Sequence, residues 1–248
     1  MSKKPNVLIV VVEDIGVGDY ECYCETGIPS PSISQLAKSG VMFTNAHATA
    51  ALCAPARYSL LTGNYPRRQS NGVNGKWGFN EPSSIMSTQQ TLAGLLKPHM
   101  YRTAIMGKTG FGGFLYERND LGNIDFNKPM LDGPNTWGFD YSLTIPRGHQ
   151  WLPLMFFENG IPRCDPNNLL RGEEASEMFY KFGCKGGGSH KNVDYADPEF
   201  NPSEIGETLL RGTEKFLDNT DNSLPFFVHF CCCLLYTSPS PRDRQKAR

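Results

Sequence analysis

The sequence predicts an α/β protein with a mainly parallel central sheet flanked by helices, and three observations carry that prediction. The stretch "VLIVVV" at 7–12 is apolar at every position, as in a strand covered on both faces. Strand-like and helix-like stretches then alternate along the chain, the pattern of crossover connections between parallel strands. Chemistry-bearing residues fall where those strands end, at Glu13-Asp14, Cys53 and Lys108, and in such sheets ligands collect at the carboxyl ends of the strands.

Taken in order, the first strand at 7–12 runs into "EDIGVGDY", a turn with two glycines and three acids. "SPSISQLAKSG" reads as a short helix, with Ser30 as cap, Pro31 in the first turn and Gly40 as terminator. "VMFTNAHA" at 41–48 reads as a second strand, followed by Cys53 in a loop. A helix is expected from Pro55 to Leu61, with Gly63 just beyond its end. "TQQTLAGLLKPHM" reads as a third helix capped by Thr88, and "YRTAIMG" as the strand that delivers Lys108. Residues 110 to 190 are rich in Gly, Pro and Asn and read mostly as long loops with short elements. Among them Trp151, Phe156, Phe157 and Arg163 are candidates to line a pocket. A final helix, about Pro202 to Asn219, leads into the strand "PFFVHF" at 225–230.

Composition narrows the function classes. At 248 residues, the chain is long enough to bury a sizeable core, and its net charge of -1 offers no basic field for nucleic acid. No apolar run approaches the length of a membrane span, and no export signal or Asn-x-Ser/Thr sequon is visible. The eight cysteines contain no Cys-x-x-Cys pair, which disfavours a zinc ribbon or a thioredoxin-like redox protein. A disulfide between two of Cys22, Cys24, Cys164 and Cys184 stays open.

Each candidate residue has a chemical reading. Two adjacent carboxylates at a strand end, Glu13 and Asp14, suit a hard divalent cation that takes oxygen ligands, although acid pairs are also common in solvated turns. Cys53 stands at the mouth of a helix whose free N–H groups favour an anion, and Arg57 one turn on adds a fixed cation. That setting suits a thiolate or a bound oxyanion, against the alternative of a small buried hydrophobe. Lys108 lies in "GKTG" but lacks the upstream glycine of a phosphate loop, Arg102 standing in its place, and so reads as a cation reaching toward an anionic ligand or into solvent. His149, in "IPRGHQW", is a general-acid candidate or a structural loop histidine. Gly186-Gly187-Gly188 reads as flexible linkage.

"CAPAR" followed by "LLTG" resembles the sulfatase signature, in which Cys-x-Pro-x-Arg marks a cysteine oxidised to formylglycine (3-oxoalanine). "PNVLIVVVEDIGVGD", "GIPSPSISQLAKSGVMFTNAHA", "TLAGLLKPHMYRTAIMGK", "WGFDY", "FFENG" and "LPFFVHF" are similar to further landmarks of that family, in its order, from about Pro5 to Phe230. The resemblance implies an alkaline-phosphatase-like fold, represented by its N-terminal part and therefore incomplete. It implies a sulfuric ester hydrolase acting on aryl or carbohydrate sulfates, with a sulfated small molecule or glycan as substrate and the formylglycine-generating enzyme as partner. Cys53 becomes the nucleophile after modification, Arg57 its electrostatic support, Lys108 a sulfate-oxygen ligand and His149 an active-site partner. Glu13, Asp14 and Cys53 become ligands of Ca²⁺ or Mg²⁺. A phosphoester or phosphonate hydrolase of the same superfamily, and an inactive protein that binds sulfated glycans, are the alternatives.

Three departures from the family pattern stand out. Glu13 replaces the usual aspartate, Ala56 the usual serine, and Gly110 a histidine expected two residues after the lysine. Residues 5–232 are expected to form the catalytic portion. Residues 233–248 are expected to be a non-native tail, because "CLLYTSPSPRD" resembles a translated sequencing adapter. Relatives of this kind are mostly secreted, lysosomal or periplasmic, and the sequence assigns no compartment.

Overall fold

The computed structural model describes residues 4–13, 15–25, 27–68, 78–149, 151–182, 194–219 and 223–232. Asp14, Cys184, the glycines at 186–188 and the segment 233–248 lie outside the described residues. In chain order the elements are β1 (Val7–Val11), α1 (Pro31–Ser39), α2 (Cys53–Thr62), α3 (Leu92–Leu96), β2 (Arg102–Lys108), β3 (Tyr141–Ile145), β4 (Phe157–Glu158) and β5 (Ile161–Pro162). They continue with β6 (Leu170–Arg171), α4 (Glu173–Lys181), β7 (Tyr195–Ala196), α5 (Ile205–Asp218) and β8 (Phe226–Cys231).

The main sheet runs β1-β8-β2-β3-β4-β5, with β1, β8, β2 and β3 parallel and β4 and β5 antiparallel to their neighbours. The predicted α/β class with a mainly parallel sheet is thus the observed one. Period-two alternation sorts the side chains of β2 between two cores. Ile105 faces an aromatic cluster containing Phe79, Phe114, Tyr116, Phe126 and Phe157. Ala104 and Met106 face the other side, under Leu209 and Phe216 of α5 and Phe179 of α4. Helix α5 buries Ile205, Leu209, Gly212 and Phe216, a stripe at helical spacing. Gly212 lets that helix lie on β3, because a Cβ there would stand 2.3 Å from the Leu143 side chain.

Several expectations are corrected. Residues 41–48 form no strand; they are turns and extended chain with Val41 and Phe43 exposed, so their β-branched and aromatic content does not lead to pairing. Helix α2 begins at Cys53 itself, two residues before Pro55, since proline is at ease in a first turn and does not have to open it. Thr91, and not Thr88, caps α3, its hydroxyl accepting from the Gly94 N–H at 2.9 Å. The helix expected to continue to Met100 tightens into a 3₁₀ turn over Lys97–His99, where Pro98 interrupts the ladder. Among the described residues strand β1 is covered on one face only. Leu8 and Val10 remain 57% and 55% exposed, and among the described residues β1 pairs only with β8. Helix α1 buries no residue and does not flank the sheet.

Residues 110 to 190, expected as mostly loop, contain the central strand β3 and the β4–β5 hairpin. The hairpin turns through Asn159 and Gly160, both at positive φ, as two-residue turns demand. Phe157, expected to line a pocket, is instead fully buried at the centre of the aromatic core, 5.4 Å from Phe114 and 5.6 Å from Phe79 between ring centroids. Phe156 packs on Phe200, Trp151 lies under the Arg147 guanidinium, and Arg163 meets Glu158. Among the described residues no disulfide joins Cys22, Cys24 and Cys164 to one another.

One glycine decides where the end of β2 sits. Gly107 has φ +85°, and a Cβ there would lie 2.0 Å from the Cys231 carbonyl oxygen on β8. Gly107→Ala is expected to cost about 3 kcal/mol, from left-handed strain plus the clash. The urea midpoint followed by circular dichroism measures this, and an unchanged midpoint would refute the close approach.

Candidate functional site

Because β1, β8 and β2 are parallel, their carboxyl ends open on one edge of the sheet, and the residues just beyond them share a small volume. Glu13 follows β1, Lys108 ends β2, and α2 brings Cys53 and Arg57 across the same edge. The Lys108 ammonium donates to both Glu13 carboxylate oxygens, at 2.7 and 2.8 Å. Arg57 donates from Nη1 to the Lys108 carbonyl at 3.0 Å, and its Nη2 lies 3.6 Å from Glu13. These three side chains are almost sealed from water, at 3% exposure for Arg57, 3% for Lys108 and 12% for Glu13.

Burial alone would raise the Glu13 pKa. The Lys108 hydrogen bond, the Lys108 and Arg57 charges and a hydrogen bond with the Cys53 thiol outweigh it and hold the carboxyl below its ordinary value. Two cations against one carboxylate leave the cluster with net positive charge, which favours an anion beside Cys53.

Cys53 is exposed at the first position of α2. Its residue and the next helical turn form the wall of a cavity of about 720 Å³, together with Val11, Glu13, Thr49 and Arg57. Leu52 caps the helix without a side-chain hydrogen bond, so the positive end of α2 beside Cys53 is not met by a capping side chain. At the far end Gly63, at φ +70°, donates to the Ser59 carbonyl at 2.8 Å and closes the helix.

His149 reaches the same region by a turn after β3. The Gly110 N–H and Thr109 hydroxyl both donate to the Pro146 carbonyl, at 2.9 and 3.1 Å, tying the loop after β2 to the turn after β3. The buried imidazole has a lowered pKa, from desolvation first and then from repulsion by Lys108, partly offset by Glu13. The predicted residues Glu13, Cys53, Arg57, Lys108 and His149 thus come to one place, with Lys108 and His149 under the cavity wall and not on it. Asp14 lies outside the described residues.

Two residues went unremarked by sequence reasoning. His229, on β8 between β1 and β2, is 2% exposed, its Nδ1 has no hydrogen-bond partner among the described residues, and burial with the nearby Arg57 charge brings its pKa to about 4. Cys231 hydrogen-bonds Arg57 from within the sheet, its own pKa pushed up by burial to about 11. The only available signal was their place on a strand ending beside Glu13, which requires the strand order β1-β8-β2.

The donor set for a divalent cation is incomplete. Among the described residues no three of His, Cys, Asp and Glu gather as a metal site, and both Glu13 oxygens are taken by Lys108. A calcium ion takes six to eight oxygens, so the described residues by themselves do not fit it.

Residues 5–232 match the family described as Sulfatase. The chain belongs to the sulfatase family. It is 39% identical over 170 residues to the N-acetylgalactosamine-6-O-sulfatase of Bacteroides thetaiotaomicron, a match covering 68% of this chain and 32% of that protein. With human steryl-sulfatase it shares 35% identity over 124 residues, covering 48% of this chain and 21% of the relative. A solved structure from work on glycosaminoglycan metabolism by Bacteroides thetaiotaomicron superposes with TM-score 0.76 at 28% identity, over 98% of this chain and 54% of that one. The phosphonate monoester hydrolase of Agrobacterium radiobacter shares the fold alone, with TM-score 0.52 at 21% identity over 97% of this chain and 44% of that one. This sulfatase chain therefore spans about a third or less of these curated relatives and about half of these solved structures. Among the described residues no helix is long and apolar enough to cross a membrane.

The buried histidines set a pH dependence of stability. Folded His229 takes its proton near pH 4 and an unfolded imidazole near 6.5, so between those values the unfolded state binds more protons. Stability is then complete above 6.5 and falls as the pH drops toward 4, by about 3 kcal/mol from this residue. Glu13, with its lowered pKa, adds a loss of the same sign below about 4.5. Urea titrations across that range should show a shallower fall in His229→Leu; identical slopes would remove His229 as the cause.

Proposed function

We propose that the chain carries the nucleophile-bearing part of a sulfuric ester hydrolase, which cleaves carbohydrate or aryl sulfates through formylglycine made from Cys53. The observation that carries this reading is the placement of Cys53, exposed on a cavity at the start of α2, directly against the buried Glu13–Lys108–Arg57 cluster. Once oxidised by the formylglycine-generating enzyme and hydrated, residue 53 supplies a geminal hydroxyl as nucleophile toward sulfur. Everything else is done by fixed charge. Arg57, locked by the Lys108 carbonyl and Glu13, holds a positive potential one helical turn behind the nucleophile, where negative charge develops on the sulfate oxygens. Lys108 adds the second cation, and Glu13 holds it in place. His149, uncharged near neutral pH because of its burial and its lysine neighbour, packs behind the cavity wall and completes the site without adding charge to it.

A divalent cation, Ca²⁺ or Mg²⁺, belongs to this reading as a proposal. It needs oxygen ligands beyond the described residues, Asp14 among them, and no step is assigned to it. Carbohydrate sulfates are the first substrate class to try, because the Bacteroides relative named for N-acetylgalactosamine 6-O-sulfate hydrolysis is similar over 68% of the chain. The likeness to a phosphonate hydrolase concerns the fold alone and favours no second reading.

Mass spectrometry of the peptide containing residue 53, from protein co-expressed with the modifying enzyme, is expected to show an aldehyde in place of the thiol. Sulfate release from a sulfated aryl or sugar substrate should fall by at least ~1,000-fold in Cys53→Ala. A Cys53→Ala variant as active as the parent would end the proposal.

A further inference from the structure

A second cavity adjoins the Thr49–Leu52 segment. Its volume is about 540 Å³, and Thr49, Ala50, Ala51 and Leu52 line both it and the Cys53 cavity. The remaining wall comes from Pro55 and from Tyr65, Pro66, Arg67 and Arg68. The last three form a 3₁₀ turn just after α2, anchored by the buried Pro66 and by the Arg68 N–H donating to the Tyr65 carbonyl at 3.0 Å.

The charge here is unbalanced. Arg57, Arg163 and Arg211 each meet a glutamate, whereas among the described residues neither Arg67 nor Arg68 enters an ion pair. Among the described residues no Asp or Glu lines the cavity. None occurs in the sequence between Glu25 and Glu81, although the chain has 25 acidic residues. Arg68 stacks over the Tyr65 ring, 5.3 Å from guanidinium carbon to centroid. Stacking fixes the plane of the fork, whose edge meets no acceptor among the described residues and suits two parallel hydrogen bonds to an oxyanion, so less conformational freedom is lost on binding.

We propose that the Tyr65–Arg68 cavity is a second anion subsite, which holds a sulfate or carboxylate borne by the same substrate whose sulfate ester lies at Cys53. The Thr49–Leu52 wall separates the two anions, so the substrate spans it: an oligosaccharide carrying at least two negative groups, not a monosulfated aryl compound. This rests on the sulfate-ester reading for the first anion only; the arginine cavity is independent of it.

The test is equilibrium binding of fluorescent oligosaccharides to the full chain carrying Cys53→Ala, which prevents turnover. Three probes are used: a monosulfated one with no other charged group, a disulfated one, and a monosulfated one bearing a uronate. Arg67→Ala/Arg68→Ala is expected to weaken the disulfated or the uronate probe by about 10- to 100-fold, while the singly charged probe changes less than about twofold. Whichever doubly charged probe loses affinity identifies the second group as sulfate or carboxylate. Arg211→Ala, an equal charge loss per residue on the solvent face of α5, should change none of them. Equal losses for all probes, equal losses in Arg211→Ala, no loss at all, or no binding of any probe each overturn the subsite. Sulfate release by the parent chain is read separately. Arginine-dependent binding without sulfate release would leave the subsite standing and remove the hydrolase reading.

Discussion

The interaction on which the site depends is the grip of Glu13 on Lys108. Three charged side chains are withdrawn from water at the end of a parallel sheet, a costly arrangement unless every charge is met. Glu13 meets both cations: its two oxygens accept from the ammonium, and one of them lies within ion-pair distance of Arg57. Arg57 closes the circuit through the Lys108 carbonyl, so the cluster also fixes the backbone at the end of β2. Removing the carboxylate would leave two buried cations without a counter-charge, a far larger penalty than the loss of a surface ion pair. Glutamate in place of aspartate carries that carboxylate one methylene further from β1 toward the lysine.

The sheet makes this cluster possible by a topological route. Strands β1 and β2 do not touch; β8, the last described strand, lies between them and sets their spacing. Glu13 and Lys108, 95 residues apart in sequence, therefore meet only after β8 has been inserted. Gly107 makes the insertion tight, because its hydrogen sits where any side chain would strike the Cys231 carbonyl. His229 and Cys231 enter the site's surroundings for the same reason. They are carried in on the strand that joins the two halves.

Much of this was legible in the sequence, with instructive limits. The apolar run at 7–12 and the stretch "RTAIM" read as strands, and from their ends the placement of Glu13 and Lys108 follows. The Cys-x-Pro-x-Arg spacing puts Cys53 and Arg57 one turn apart whichever residue opens the helix. Residues 41–48 were misleading, because β-branched and aromatic residues indicate a strand only when a partner and a covering layer exist. Phe157 was misplaced for the opposite reason: an aromatic in a Gly/Pro-rich stretch resembles a pocket residue until the rings of Phe79, Phe114 and Phe126 are seen around it. Strand β3 and the role of His229 depend on pairing order, which local pattern does not encode.

Cys231 and Cys164 are withdrawn from water where Cys53 is exposed. Cys231 lies inside the sheet and Cys164 is half-buried, and desolvation raises both, to about 11 and about 12, so neither yields a thiolate readily near neutral pH. Cys53 differs by position and not by residue type. It stands exposed at a helix start, with the carboxylate it hydrogen-bonds already held by two cations. The same fixed charges that neutralise Glu13 leave positive potential over the cavity, and His149 and His229 add none because burial keeps them unprotonated. The field at residue 53 is therefore that of Arg57 and Lys108 less Glu13, set by buried groups and little screened by salt. An anion entering the cavity meets that field whatever the chemical state of the cysteine, which makes recognition of the sulfate group separable from the chemistry that cleaves it.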